Sequence, residues 1–562
     1  MSLFSSTFAT VMRRSRFFYI FFLLISLWTT PIYAWNHYVS PKYEVRAVWL
    51  TTIGGLDWPR HYANNAQEAM AQKRELCRLL DLYQKANINT VLVQTRIRST
   101  VIYPSRIEPW DGCMTGHPGK AAPYDPLAFV IDECHKRGME CQAWVVCIPA
   151  GKWNSYGVQQ LRKRHGSMVR RIGAEAYLNP ENMQTANYIA DICEEITRRY
   201  DIDGIHLDYI RYPETWKLRI SHESARRNIT NIVRAVHNRV KNLKPWVKMS
   251  CAPIGKSQDL VRYSSNGWNA YTRGCQDAQG WLREGIMDEL FPMMYFRDNQ
   301  FYPFALDWSE QSYGKIIAAG LGIYFLSPHE KNWRLEDITR EMEILRQHSM
   351  GYAFFRSKFL TDNMKGIYQF TKQFNPYPAL VPPMTWMHAP TPQQPTDLRI
   401  ENGVLQWNGD APYYNIYASR MDHVDTDCAE NLLVIHHQSR SIKLPKGYEG
   451  FSFAVTACDR YGNESKAAQL NDGNGKSMHK NYGARKLETD GRKLFIPNDI
   501  QIGDGIYLIE TLQGVAVASR QHTNVVDVSS LPDGSYQLKT INKKGIKHRV
   551  GFFTIRRKEA MR

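Results

Sequence analysis

The segment from Tyr200 to Pro213 concentrates residues able to do chemistry. An apolar run, Gly204-Ile205-His206-Leu207, delivers Asp208 at its end, with Asp203 before it and Tyr209, Arg211 and Tyr212 after it. An acid leaving an apolar strand has no evident packing purpose, because burying a charge without a partner is costly. In parallel barrels the loops at the carboxyl ends of the strands build the active site, whereas residues at strand entries serve stability. That rule makes Asp208 a working residue and Asp203 a structural one. It also selects Arg96, Trp144 and Tyr295, which would orient a substrate through charge-assisted hydrogen bonds and ring stacking. Two of them have a plainer alternative: Trp144 as core, Arg96 as a buried ion-pair partner. His206, Arg211 and Asp57 complete the candidate contacts.

These residues need elements to hold them. From about residue 45 to 360, short β-branched or aromatic runs alternate with longer amphipathic segments, the pattern of βα units around a parallel sheet. Eight strands are expected: Val45 to Thr51, Thr90 to Gln94, Glu140 to Val146, Gly204 to Asp208, Lys248 to Ala252, Glu289 to Met294, Ile316 to Ile323 and Gly351 to Phe355. Between them, Ala66 to Lys85 sets Met70, Leu76, Leu79, Leu80 and Tyr83 near a 3.6-residue period. Asn182 to Tyr200 does the same and ends in Arg198-Arg199, favourable at the negative end of a helix.

A chain of 562 residues exceeds what one core supports, so several domains are expected. Residues 376–395 are crowded with prolines, which excludes regular helix and central strand and marks a linker. Alternating β-like runs follow in 396–470, then a Gly-rich polar linker at 471–485, then further short strands in 486–562. The expected class is α/β, a (β/α)8 TIM barrel in 35–375 followed by two small all-β sandwich domains.

Residues 1–34 read as a signal peptide: Arg13, Arg14 and Arg16 precede about 12 apolar residues, too few to span a bilayer, and Ala34 ends the run. The protein is therefore expected to be exported to the periplasm, the outer-membrane surface or the medium, without stable membrane insertion. Its net charge of +17 suits anionic polymers. No nucleic-acid-binding signature accompanies that charge, and the basic residues are dispersed, so nucleic acid is not the expected partner. Ten cysteines at irregular spacing, without a Cys-x-x-Cys pair, signal no metal site. No cofactor is expected.

The barrel region resembles the glycosyl hydrolase-like family ten. The resemblance rests on Glu44 to Leu50 with Asp57-Trp58-Pro59, Gln94-Thr95-Arg96, Tyr103-Pro104-Ser105, Glu108-Pro109-Trp110, Tyr124 to Leu127, His135 to Gly138, Leu178-Asn179-Pro180, Asp203 to Pro213 and Phe291 to Tyr295. It implies a secreted bacterial barrel acting on a glycan, with peptidoglycan strands as the expected substrate. The Asp-Gly-x-x-x-Asp arrangement at 203–208 is also similar to the fourth-strand motif of α-amylase-like barrels. By that analogy Asp208 is the nucleophile or the base that activates water, held ionised by His206 and Arg211.

Glycoside hydrolysis ordinarily needs a second carboxyl group as general acid. The fifth strand ends in Ser250-Cys251-Ala252 and supplies none. Glu108 is the first candidate, unless it merely caps a loop; Asp57 and Asp298 follow. The competing readings are a barrel that binds glycan without cleaving it, and a hydrolase of another polysaccharide. Downstream, Phe453 to Ser465 resembles the closing strand and turn of fibronectin type III domains.

Overall fold

The computed structural model describes residues 40–419, 424–448, 450–470 and 486–555, the last stretch broken at 498–505, 512–515, 521–523, 532–533 and 542–546. The expected signal segment and the 471–485 linker lie outside the described residues.

Eight parallel strands close into a barrel in chain order: Arg46–Leu50, Thr90–Arg96, Glu140–Val146, Gly204–Asp208, Lys248–Ala252, Glu289–Leu290, Ile316–Leu321 and Gly351–Phe354. Closure is direct, since Arg46, Ala47 and Val48 pair with Tyr352, Ala353 and Phe354 while Ala47 to Leu50 pair with Thr90 to Val93. The sixth strand stops earlier than expected. Pro292 has no N–H to continue the ladder, and only isolated bridges from Met293 to Ile254 and Gly320 follow.

Successive side chains on a strand point to opposite faces. Val48, Val91, Val93, Val145, Ile205, Leu207, Met249 and Leu290 therefore pack outward in the large core beneath the helices. Ala47, Trp49, Leu92, Trp144, Ala252, Phe291 and Ala318 face the lumen. The polar lumen residues form a hydrogen-bonded chain, which leaves, among the described residues, only Glu289 Oε1 of its terminal carboxyl without a partner. Trp49 Nε1 donates to His206 Nε2 at 3.2 Å, His206 Nδ1 meets Ser250 Oγ at 2.9 Å, Ser250 Oγ donates to Gln142 Oε1 at 2.6 Å, and Gln142 Nε2 donates to Glu289 Oε2 at 2.7 Å.

After the third barrel strand the chain makes an excursion that the sequence reading missed. Strands Pro149–Lys152, Val169–Ile172 and Glu175–Leu178 form a small antiparallel sheet with the last of them central, and helix Tyr156–His165 lies between the first two. Strands of four residues are too short to show a period.

Downstream, a three-stranded sheet (Thr396–Glu401, Val404–Asn408, Ser441–Lys443) and a four-stranded sheet (Tyr413–Ser419, Leu432–His437, Ser452–Cys458, Ala468–Gln469) enclose Leu405, Trp407, Ile416, Phe453 and Val455. This unit meets the barrel at its strand-entry end. Arg460 pairs with Asp201 at 2.5 Å, and Gly138 adopts φ +71° where a Cβ would lie 2.6 Å from the Ile435 carbonyl oxygen. Residues 486–555 contain two further antiparallel sheets. All ten cysteines are free thiols.

The entry end is also where the first strand is tied to the last helices. Glu44 Oε2 accepts from Arg46 Nε at 2.6 Å, and both its oxygens accept from Arg346 at 2.6 and 2.7 Å, all in a buried setting. Burial alone would raise the Glu44 carboxyl, but the two guanidinium groups outweigh it and hold it below the usual range. Its contribution is present above the unfolded-state value and is lost as pH falls through the lower folded value. Glu44→Gln strands two buried cations, so chemical denaturation at neutral pH should report a loss of about 3–5 kcal/mol, shrinking in acid below about pH 4.

Candidate active site

Gly204, His206 and Asp208 share the inward face of the fourth strand, so the last of them emerges at the top of the lumen. Asp208 is 8% exposed. Register pairs it with Val146, two residues beyond Trp144, whose Nε1 donates to Asp208 Oδ2 at 3.0 Å. Tyr209 turns the chain with φ +49°, and its backbone N–H donates to Asp208 Oδ1 at 2.7 Å. Both donors favour the anion, and Arg211 adds to them from farther away. Burial is the larger effect, and it raises the carboxyl above the ordinary aspartate value.

Above Asp208 opens a cavity of about 570 Å³, walled by Gln94, Trp144, Tyr209, Tyr295 and Phe355 from the barrel and by Glu175 and Tyr177 from the excursion, with Glu214 and Arg356 beside them. Such a volume suits a few sugar rings. Tyr295 packs at 5.6 Å against Phe355 and edge-on to Tyr324 at 5.7 Å. Burial pushes its hydroxyl well above the ordinary tyrosine value, so it stays a neutral donor.

The other sequence candidates lie elsewhere. A bulge between Gln94 and Arg96 reverses the alternation of the second strand and turns Arg96 to the outer face. There it holds Glu108 through Nε at 2.9 Å and Nη2 at 2.7 Å, while Tyr188 donates to the same carboxylate at 2.8 Å. Glu108 is 4% exposed, does not line the cavity and is ion-paired with Arg96, so it is not the acid facing Asp208. His206 sits one layer below, fully buried, and burial pushes its ring down to about 3. A neutral imidazole bonded to Trp49 and Ser250 cannot hold Asp208 ionised or touch substrate.

Asp57 is likewise structural: it accepts from Thr51 N at 2.9 Å, from Arg356 Nη1 at 2.5 Å and from Lys358 N at 3.0 Å, positioning Arg356 at the cavity edge. Arg211 stacks over Tyr209 at 4.2 Å and pairs with Glu214 at 2.7 Å, behind the wall. Asp298 is also absent from the cavity.

Several lining residues escaped the sequence reading, among them Gln94, Glu214 and Glu175. Gln94 Oε1 accepts from Thr52 N and Ile53 N at 3.1 and 2.9 Å, and its amide nitrogen has no partner among the described residues. Its place at an expected strand exit was the available signal. Glu214, three residues from Arg211, had the signal of an ion pair. Glu175 had none, because it stands on the unforeseen sheet; its carboxyl group has no hydrogen-bond or ion-pair partner among the described residues.

Fold and cavity together define a (β/α)8 barrel protein with a desolvated aspartate and a second carboxyl group in a cleft at its strand exits. A family model described as Glycosyl hydrolase-like 10 matches residues 44–225 and 216–326, which together cover half of the 562-residue chain. The chain belongs to that family. Glycosyl hydrolase YngK of Bacillus subtilis (strain 168) is 27% identical over 475 residues, 76% of this chain and 92% of the relative. Glycosyl hydrolase DigH of Escherichia coli (strain K12) is 30% identical over 287 residues, 45% of this chain and 65% of the relative. Among solved structures, an endo-β-1,4-mannanase from Thermotoga petrophila aligns over 92% of this chain and 99% of its own, with TM-score 0.39 and 10% identity.

If Trp144 is a donor to the Asp208 anion, Trp144→Phe should move the Asp208 carboxyl further up. An infrared pH titration of the carboxyl C=O band, assigned by its loss in Asp208→Asn, reads this directly. An unmoved or lowered titration would contradict the assignment.

Proposed function

We propose that the chain is an exported glycoside hydrolase whose polymer is a cell-wall glycan, with peptidoglycan strands as the preferred substrate. The observation that carries the reading is Asp208: a carboxyl group at the floor of a sugar-sized cavity, which burial holds above the ordinary aspartate value. That environment suits a general acid, which reverses the role drawn from the amylase-like analogy. Asp208 gives its proton to the glycosidic oxygen as the C–O bond breaks. Glu175, entering from the excursion, takes the proton of the water whose oxygen bonds to the anomeric carbon, and is the second carboxyl group the reaction requires. Tyr209, Tyr177 and Tyr295 offer ring faces and hydroxyl donors to the sugars, and Gln94 offers an unpaired amide donor. Membership of a glycosyl hydrolase-like family, relatives that carry that name and the net charge of +17 support the choice of an acidic wall polymer.

Turnover of purified, peptide-free glycan strands tests this. Asp208→Asn and Glu175→Gln should each lower turnover by about 10²–10⁴, the range for a lost acid or base. In Asp208→Asn one of the two donors loses its acceptor, a cost of about 1–3 kcal/mol that should leave the protein folded. Undiminished release of sugar fragments by Asp208→Asn would refute the assignment. Binding without any product from the unmodified chain would leave a glycan-binding protein, the reading kept open by the engaged Glu108 and the acid-free exit of the fifth strand.

Glu108→Gln separates structure from chemistry. It strands Arg96 in the outer core, so denaturation should show a loss of about 3–5 kcal/mol while turnover of the still-folded fraction is unchanged.

A further inference from the structure

Residues 149–178, the excursion that builds the Glu175 wall, carry six cationic side chains, Lys152, Arg162, Lys163, Arg164, Arg170 and Arg171, against Glu175 as their single acid. All except the half-buried Arg170 are exposed. Among the described residues none of the six forms an ion pair with a carboxylate. Several exposed arginines of the neighbouring barrel helices behave differently: Arg198, Arg234 and Arg239 each have an acidic partner within 2.7 Å, although Arg199 has none among the described residues. Dense like charge left uncompensated lowers stability through self-repulsion, so its presence beside a cleft calls for an external anion.

The cations are also held ready. The Arg162 guanidinium lies 3.7 Å from the Trp153 ring centre with Arg171 at 5.3 Å from the same ring, and Arg170 lies 4.3 Å from Trp216. Stacking fixes the guanidinium plane and leaves edge donors for a bidentate anion; among the described residues those of Arg162 and Arg170 are unengaged, while Arg171 spends its Nε on the Gly173 carbonyl at 3.0 Å and keeps its Nη donors. The sheet that carries them reaches the cleft directly. Its central strand bears both Glu175 and Tyr177 in the cavity wall, and Arg171 and Ile172 pair with Ala176 and Glu175 on it.

We propose that this excursion is a polyanion-binding rim, which holds a carboxylate-bearing glycan alongside the cleft and sets the preference for acidic over neutral polymers. The inference rests on the reading of the cleft as a site for an acidic glycan and adds to it the residues that read the polymer's charge. Spaced carboxylates on a long strand match cations spread over a sheet and a helix. A single small anion would need a convergent pocket, which the rim does not form.

The test uses the full chain carrying Asp208→Asn, so that binding is read without cleavage. Titration calorimetry compares a carboxylated glycan with the same polymer after its carboxyl groups are reduced to alcohols. The carboxylated form should bind about tenfold more tightly at about 20 mM salt, and the advantage should shrink at about 200 mM as screening shortens the reach of the charges. Adding Arg162→Gln, Arg164→Gln and Arg171→Gln should abolish the preference, and Lys at the same three positions should restore most of it. Equal affinity for both polymers, or a preference that survives the Gln triple, would overturn the proposal. So would tighter binding to phosphatidylglycerol vesicles than to the carboxylated glycan, since the rim would then serve a membrane surface. Loss of hydrolysis in the parent chain with the charge preference intact would sink the hydrolase reading alone.

Discussion

In a closed ring of eight parallel strands, every second side chain must enter a lumen that water does not fill, and the candidate site inherits its properties from that constraint. The lumen admits Trp49, His206, Ser250, Gln142 and one oxygen of Glu289 because each hydrogen-bonds to the next. Left unpaired, such groups would cost their full desolvation. Burial keeps His206 neutral and pushes Glu289 up to about 8. Asp208 occupies the next inward position on the same strand, where the lumen meets the cavity. It feels the same low-dielectric surroundings, yet two hydrogen-bond donors and an open face keep it available to a ligand.

The same period accounts for the separation of Arg96 and Glu108 from the cleft. One extra residue in the second strand exchanges inside for outside. Gln94 therefore reaches the cavity while Arg96, two residues on, turns beneath the helix that carries Tyr188. Glu108 follows its cation, and the pair becomes a clamp between strand, loop and helix. An acid adjacent to an Arg in the folded chain is thereby spent on packing.

The molecule divides its two ends. At the strand entries, Glu44 and its two arginines, Asp203 with His135, and the β-sandwich contact through Arg460 and Asp201 hold the barrel and its neighbour together. The last of these is half-exposed and contributes little by itself. At the exits, the walls come from loops and from the excursion, so a binding surface can vary there without disturbing the closure of the barrel.

The third, fourth and fifth strands, Glu140–Val146, Gly204–Asp208 and Lys248–Ala252, were legible residue for residue, as was helix Ala66–Lys85. Hydrophobic period, strand length and proline placement are local quantities that a chain displays before it folds. They were enough to place Asp208, Trp144 and Tyr295 at strand exits, where the cavity is found. The direction of Arg96, the capture of Glu108, the neutral state of His206 and the arrival of Glu175 were decided only by tertiary structure. Each depends on a bulge, on the depth of burial, or on a sheet built from four-residue strands. These are properties of how distant segments meet, and the spacing of residues along the chain does not contain them.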